Sequence, residues 1–541
     1  MLRATKNPPP PPPPPSYPLA NPSPQPATRT SPALLRWLPV IIVFLALVPL
    51  LLKLPAAAEF TRAILTYPFQ VDDSEGVILS EAQWLARGVD PYQPARPDFF
   101  TAAPYTPLYT ALNAAAFALG PFTFKVGRGI AWLATLAVAA LLGAVAWRRT
   151  GRPALVAWVT LAILTTNLVS VWSVRARPDH LALACNLAGF AHVWWRWEAL
   201  PGPGRGARRA LSRAEWWLIG PAAGLCALGF FTKQTLLAAP LALGLGLLLA
   251  RPRLGVAFGL LYGALVLAPF GLLTLVTRGG FYQHIVLLHS SWAAGDFLRL
   301  WGPFVARYWP LLLAGALLPG AVLARAVVAR RLRDDPDLLP ALYLPLAAFF
   351  ALGAGTHGGN HNHFVETAVV AICCAALLAH RLTETPPPMA RIAARALGLA
   401  LPLAVSLALV AEAGFGGENW LARDFRTPRS QELAGWRNVA AFVTNDPGPV
   451  YADNVGLLLV TGHEVRYTDP FSLAYAVRTG QWDDRALVAR VERGEFSLIA
   501  LRYDVFAVGG PPDDLTPGLY QAIRAHYRAS ERNVLTLYVR R

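Results

Sequence analysis

An all-α polytopic membrane bundle followed by a small α/β domain is the fold class this chain predicts, and three observations predict it. Apolar runs of ~18–22 residues, each long enough to cross a bilayer core, recur along most of residues 33–412. Only 15% of the 541 residues are charged while 55% are hydrophobic, whereas soluble domains carry about a quarter charged. After Glu412 the long runs stop, and short, more charged segments take over.

Residues 1–32 contain an unbroken proline run from Pro8 to Pro15 and then Pro, Ser, Thr and Ala. Such a stretch favours polyproline II and has little to bury, which predicts a disordered tail. Its basic residues Arg3, Lys6 and Arg29 suit a cytoplasmic end. The first apolar run, Leu34 to Leu54, lies too far from the start for an ordinary signal peptide and reads as an anchor.

Arginines punctuate the rest. They cluster at Arg148, Arg149 and Arg152; at Arg196, Arg205, Arg208, Arg209 and Arg213; and at Arg251 and Arg253. Further clusters fall at Arg325, Arg330, Arg331 and Arg333, and at Arg381, Arg391 and Arg395. Placing each in the cytoplasm gives helices near 34–54, 130–147, 153–173, 179–196, 215–232, 235–250, 254–276, 308–328, 338–355, 363–380 and 396–412. That is about eleven crossings, N-terminus inside and C-terminus outside. The net charge of +16 therefore reports topology, and a nucleic-acid partner is excluded. The four cysteines sit in apolar segments with no disulfide or metal spacing.

The topology leaves residues 55–129 as a long first outer loop. It opens on Val71-Asp72-Asp73-Ser74-Glu75-Gly76, three carboxylates in a row of four residues beside the membrane. Such charges are costly there unless they stay in water or meet cations. Helical spacing predicts interfacial helices over Asp73–Arg87 and Pro107–Leu119. Tyr92, Tyr105 and Tyr109 lie between or at them and suit headgroup depth. Other outer segments hold what topology does not require: Arg175 and Arg177; Lys233, one of only four lysines; and the loop Gly353 to His363 with His357, Asn360, His361, Asn362 and His363. A longer outer loop carries Tyr282, His284, His289 and Trp292. Residues 413–541 predict an extracytoplasmic α/β domain, with strands at 450–452, 464–467, 497–502 and 534–539. Its helices are expected at 471–479, 484–493 and 517–528.

Cations at membrane depth can hold a lipid-linked phosphate by charge-assisted hydrogen bonds. Arg175, Arg177 and Lys233 fit that role, with His361, Asn362 and His363 adding donors. A carboxylate from Asp72, Asp73 or Glu75 could then take the proton of an incoming hydroxyl. Cations at the leaving phosphate would lower the barrier at a sugar carbon, and in-line attack would invert the anomer. Each part also has a plainer account. Acidic residues favour the first turn of a helix, arginines snorkel to lipid phosphates, and tyrosines anchor at interfaces. Their coincidence on one face favours chemistry. No metal site is expected, although a divalent ion is compatible with the His/Asn loop. A transporter or flippase of a lipid-linked saccharide is the alternative, but it predicts midplane charges and two related halves. A third reading is a membrane scaffold without catalysis.

Residues 34–412 resemble the GT-C superfamily of polytopic glycosyltransferases. The resemblance rests on the acidic residues after the first helix, Leu85-Ala86-Arg87-Gly88, Pro91-Tyr92 and Pro104-Tyr105-Thr106-Pro107-Leu108-Tyr109. Gly127-Arg128, Ala176-Arg177-Pro178-Asp179, Thr232-Lys233-Gln234 and Asn360 to Glu366 extend it. The bacterial group similar to protein O-mannosyltransferases, aminoarabinose transferases and rhizobial galacturonosyltransferases is the nearest in pattern. The resemblance implies a polyprenyl-phosphate sugar donor, an outer-face acceptor of unknown kind, a bacterial cytoplasmic membrane and a first-loop Asp as base. Counting back from Gly88 points to Asp73, then Asp72. The Asp-Asp-Ser-Glu order departs from the family's Asp-Glu and leaves the choice open among Asp72, Asp73 and Glu75.

Overall fold

The computed structural model describes residues 33–94, 96–197, 210–288, 291–329, 332, 335–384, 391–411 and 426–541. The proline-rich tail, His289, Arg205, Arg208, Arg209, Arg330, Arg331, Arg333 and the junction at 412–425 lie outside the described residues. The chain divides into two compact units, Met1–Ile41 and Ile42–Arg541. The described residues of the first are helical.

Every one of the eleven expected membrane segments is helical. They are α1 (Ala33–Thr66), α4 (Phe124–Thr150), α5 (Pro153–Thr165) with α6 (Asn167–Ser173), α7 (Asp179–Trp194) and α8 (Arg213–Thr232). There follow α9 (Ala238–Ala250), α10 (Pro252–Val276), a helical turn α11 (Gly280–Tyr282), α12 (Ala294–Ala329), α13 (Leu338–Phe350), α14 (Val365–Glu384) and α15 (Arg391–Ala411). Among the described residues eight helices are long and apolar enough to cross a membrane, and the pair α5/α6, bent by 62°, is a ninth candidate. The segments near 179–196 and 235–250 form helices of 16 and 13 residues, too short for an untilted crossing of about 20 residues. Both begin beside the charged residues described below, where the backbone leaves the helix to place Arg175, Arg177 and Lys233.

Local chemistry explains the ends. Ser212 and Glu215 form a reciprocal capping box on α8, satisfying two N–H groups that the helix leaves unpaired. α4 starts at the Thr123 cap and stops at Gly151 in the left-handed region, with Arg148 and Arg149 in its last turn, where cations are favoured. The most apolar stretch of α14 is 89% buried and that of α10 only 11%, so α14 is central and α10 faces lipid with Leu260, Leu267, Leu272 and Leu275. Small residues allow the close approach: a Cβ on Gly315 of α12 would lie 3.0 Å from Ala371 of α14.

Between α1 and α4 lie α2 (Asp73–Ala86) and α3 (Leu108–Leu119), the two expected interfacial helices. α1 continues past Leu54 to Thr66 and α4 opens at Phe124, so this segment is shorter at both ends than 55–129. At the far end of α4, about 40 Å from its start at 1.5 Å per residue, Arg149 and Arg381 pair with Asp337 at 2.9 and 3.1 Å.

The C-terminal domain carries a four-stranded sheet of order β1-β2-β4-β3: β1 (Val450–Ala452), β2 (Leu498–Leu501), β3 (Tyr527–Arg532) and β4 (Thr536–Arg540). β1 runs parallel to β2, and the other pairs are antiparallel. Its helices are α16 (Ser430–Thr444), α17 (Val455–Thr461), α18 (Pro470–Arg478), α19 (Arg485–Glu492) and α20 (Pro517–His526). Tyr451, Ile499 and Tyr538 face one apolar layer, while Val450, Leu498, Ala500 and Leu537 face another shared with Leu79 and Trp84 of α2. The strand expected at 464–467 is absent. Tyr467 instead makes a single parallel bridge to Phe100 of the first loop, so this stretch staples the domain to the loop.

Candidate active site

Asp72 caps α2, its Oδ1 accepting from the Ser74 N–H at 3.2 Å. An N-cap carboxylate is held at the positive end of the helix, and here two arginines meet it. Arg175 Nη1 donates to Oδ2 at 2.8 Å and Arg177 Nη1 to Oδ1 at 3.0 Å. Burial pushes the Asp72 carboxyl up, but Arg177 and Arg175 outweigh burial and hold it below its ordinary value. Both guanidinium groups lie over the Trp172 ring, 4.4 and 5.1 Å from its centroid, which excludes water from one side.

Arg177 is the hub. It also donates to Ser74 Oγ at 2.5 Å and to the Tyr105 hydroxyl at 2.6 Å, and its Nε lies 3.4 Å from Asp179 Oδ2. Asp179 in turn accepts from Lys233 Nζ at 2.5 Å and Asn362 Nδ2 at 2.6 Å. Three cations thus share two carboxylates in one buried layer, drawn from the cap of α2, the α6–α7 turn and the end of α8, with Asn362 reaching in from the turn that precedes α14. Gln234 and Thr106 tie the tyrosine loop to α8 through the Pro104 and Phe230 carbonyls. A crevice of about 250 Å³ opens on Arg175; Phe60, Ile64 and Val171 line it together with Arg426 and its ion-pair partner Glu432.

The three candidate carboxylates therefore occupy different environments. Glu75 is fully buried: Arg128 donates to it from Nε and Nη2 at 2.8 and 2.7 Å, and the N–H groups of Val71 and Ala176 donate at 2.9 Å each. Arg128 also donates to the Ile64, Tyr67 and Phe69 carbonyls. This group joins the end of α1 to α4 and offers no surface to a substrate. Asp72 is enclosed by arginines. Asp73, one residue into α2, has a side chain 64% exposed, contacted by Arg502 at 2.8 Å and Gln70 at 3.2 Å.

Of the tyrosines, only Tyr105 reaches the cluster. The Tyr92 hydroxyl donates to the Tyr105 carbonyl and that of Tyr109 to the Gly127 carbonyl, both structural bonds. Of the His/Asn loop, Asn362 hydrogen-bonds to the cluster through Asp179. His361 pairs with Asn360 and packs edge-on to Phe364, His363 lies against Gly353, and His357 is stacked between Phe471 and Tyr475 of α18. Sequence reasoning assigned no role to Asp179 or Arg128, although each stands inside a motif already noticed, Arg-Pro-Asp and Gly-Arg. It also passed over Glu81, whose carboxylate accepts from the Ala103 N–H at 2.9 Å and is pushed well up by burial. Nothing in the sequence signals Arg502.

The chain has the fold of the GT-C membrane glycosyltransferases. One similar solved structure is ArnT from Cupriavidus metallidurans bound to undecaprenyl phosphate, with a TM-score of 0.55 and 13% identity, covering 94% of this chain and 98% of that one. Another is the archaeal oligosaccharyltransferase AglB from Archaeoglobus fulgidus, in complex with an inhibitory peptide and a dolichol-phosphate. It gives a TM-score of 0.51 and 12% identity over 92% of this chain and 74% of that one. At these identities the likeness is one of fold. No protein-family model and no curated protein matches the chain.

Proposed function

We propose that the chain is an inverting glycosyltransferase that moves a sugar from a polyprenyl-phosphate donor to an acceptor at the outer face of a bacterial cytoplasmic membrane. The charge layer carries this reading. Arg175, Arg177 and Lys233 are buried cations, and guanidinium groups match phosphate oxygens in a low-dielectric site. The crevice at Arg175 offers an apolar wall beside a buried cation, which suits a phosphate on a lipid tail, although Glu432 pairs with Arg426 at its rim. Asp73 is the base: it is the accessible carboxylate, next in the chain to the one that the arginines neutralise. It takes the acceptor hydroxyl proton as the oxygen attacks the anomeric carbon. The bond to the phosphate oxygen breaks with its electron pair, and Arg175 and Arg177 stabilise the anion that leaves. The basic clusters at the opposite end of the bundle support a cytoplasmic placement of that end, with the C-terminal domain outside.

The test uses purified protein in lipid nanodiscs and a panel of radiolabelled polyprenyl-phosphate sugars. Donor binding and donor loss are followed separately for the wild type, Asp72→Asn, Asp73→Asn and Glu75→Gln. Asp73→Asn is expected to bind donor and lose turnover. Full turnover in Asp73→Asn would remove it as base, and absence of donor binding by the wild type would remove the transferase reading.

A further inference from the structure

We propose that Arg502 of the C-terminal domain is a positioning residue for Asp73, so that the α/β domain forms part of the catalytic apparatus rather than a cover over it. The inference rests on the reading of Asp73 as the base.

The parallel pairing of β1 with β2 sets their carboxyl ends side by side, since Ala452 stands opposite Ala500. Asp453 follows the first strand and Arg502 the second. Asp453 is buried, and its Oδ2 accepts from the Arg502 N–H at 2.7 Å and lies 3.6 Å from Arg502 Nε. The Asp453 N–H in turn donates to the Ala500 carbonyl at 3.2 Å. The arginine is thereby anchored at its backbone and directed along its side chain, and Nη1 meets Asp73 Oδ2 at 2.8 Å.

The other oxygen of Asp73 is held by the same domain through an intermediary. Gln70 Nε2 donates to Asp73 Oδ1 at 3.2 Å, while Gln70 Oε1 accepts from the Gly456 N–H of α17 at 2.8 Å. That approach needs two glycines. A Cβ on Gly76 would lie 2.8 Å from the Gly456 nitrogen, and one on Gly456 would lie 2.5 Å from Gln70 Oε1. Asp73 is the exposed one of the three candidate carboxylates, and both of its oxygens are oriented by groups that the C-terminal domain fixes. A general base must present its lone pair within hydrogen-bond reach of the proton it takes. A long-range ion pair between a rigid strand end and a helix start supplies that orientation without touching donor or acceptor.

The test uses the full-length protein in nanodiscs: wild type, Arg502→Gln, Arg502→Lys, Asp73→Asn and the Arg502→Gln/Asp73→Asn double variant. Arg502→Gln is expected to lower kcat about 10²-fold, the scale of a misplaced reacting group, with the donor KM unchanged. Arg502→Lys should recover part of the loss, and Arg502→Gln should cost nothing further in the Asp73→Asn background. Unchanged kcat, or losses that multiply in the double variant, would overturn the proposal. Thermal unfolding of the same four variants is read without donor. A melting-temperature cycle in which the two substitutions fail to add supports the clamp, and strict additivity rejects it. A non-additive melting cycle in a wild type that turns over no donor sinks the transferase reading and leaves the clamp standing. Turnover with additive melting and multiplying rate losses sinks the clamp alone.

Discussion

Glu75 offers the sharpest separation of chemistry from architecture. Its carboxylate is fully buried, receives two hydrogen bonds from Arg128 and accepts two backbone N–H groups. Glu75→Gln removes the charge and replaces one acceptor oxygen with an NH2 facing donors, which leaves the buried Arg128 charge uncompensated beside its three carbonyl partners. Breaking one side of a buried ion pair costs about 3–5 kcal/mol, because the remaining charge has lost its compensation. With an unfolding entropy of about 2.1 cal/mol/K per residue, a chain of 541 residues shifts by about 1 °C per kcal/mol, so Glu75→Gln should lower the melting temperature by about 3–5 °C. The double variant Glu75→Met/Arg128→Met should recover part of that fall, since it leaves no buried charge, although three carbonyls lose their donor. The assay is thermal unfolding in detergent or nanodiscs, followed by donor turnover on the fraction that remains folded, which should be close to that of the wild type. A Glu75→Gln protein that melts like the wild type and has lost turnover would refute the structural account and make Glu75 the base.

Arg177→Gln should weaken donor binding by about tenfold or more, from the loss of a charge-assisted contact worth at least ~1.4 kcal/mol. Arg177→Lys should recover little, because an ammonium cannot span Asp72, Ser74, Tyr105 and Asp179 as a planar fork does; equilibrium binding of the radiolabelled donor measures both. Asp453 is pushed up to about 7, chiefly by burial, with Arg502 opposing. The folded protein therefore binds this proton more tightly than the unfolded chain, so stability falls as pH rises from about 4 to about 7. Asp453→Asn should flatten that slope, read from melting temperatures at pH 5 and pH 8; an unchanged slope would count against it. Gly456→Ala should destabilise the docking of α17 on α2 by about 1–3 kcal/mol through overpacking, seen as earlier proteolysis of the C-terminal domain.

The helical bundle was legible because a lipid environment leaves the backbone few options. Each crossing must satisfy its own hydrogen bonds, so a long apolar run is a helix wherever it packs. All eleven segments are helical for that reason, and α2 stops at Arg87 before Gly88, whose φ of 77° closes the turn the glycine permits. The α/β domain was less legible. β3, Tyr527–Arg532, is an edge strand with most of its residues exposed, paired only to β4 across a register shift, and it carries no apolar alternation. α17 is seven residues of nearly continuous apolar sequence, a pattern that periodicity cannot tell from a strand. Tyr467 has strand character but pairs with Phe100, a partner far away in the chain.

The same division runs through the site. The chain alone determined which residue types stand at the ends of the apolar helices: acids after the first helix, Arg175 and Arg177, and a rare lysine at the end of α8. Solvation dictates that such groups mark function or pairing, and spacing is enough to find them. Their partners were decided only by the tertiary structure. Glu75 turns to Arg128, Asp72 to two arginines, Lys233 to Asp179, and Asp73 to Arg502, 429 residues away. Charges are satisfied by whatever lies within a few ångströms, and that distance is set by how the helices and the sheet pack, which no local pattern encodes.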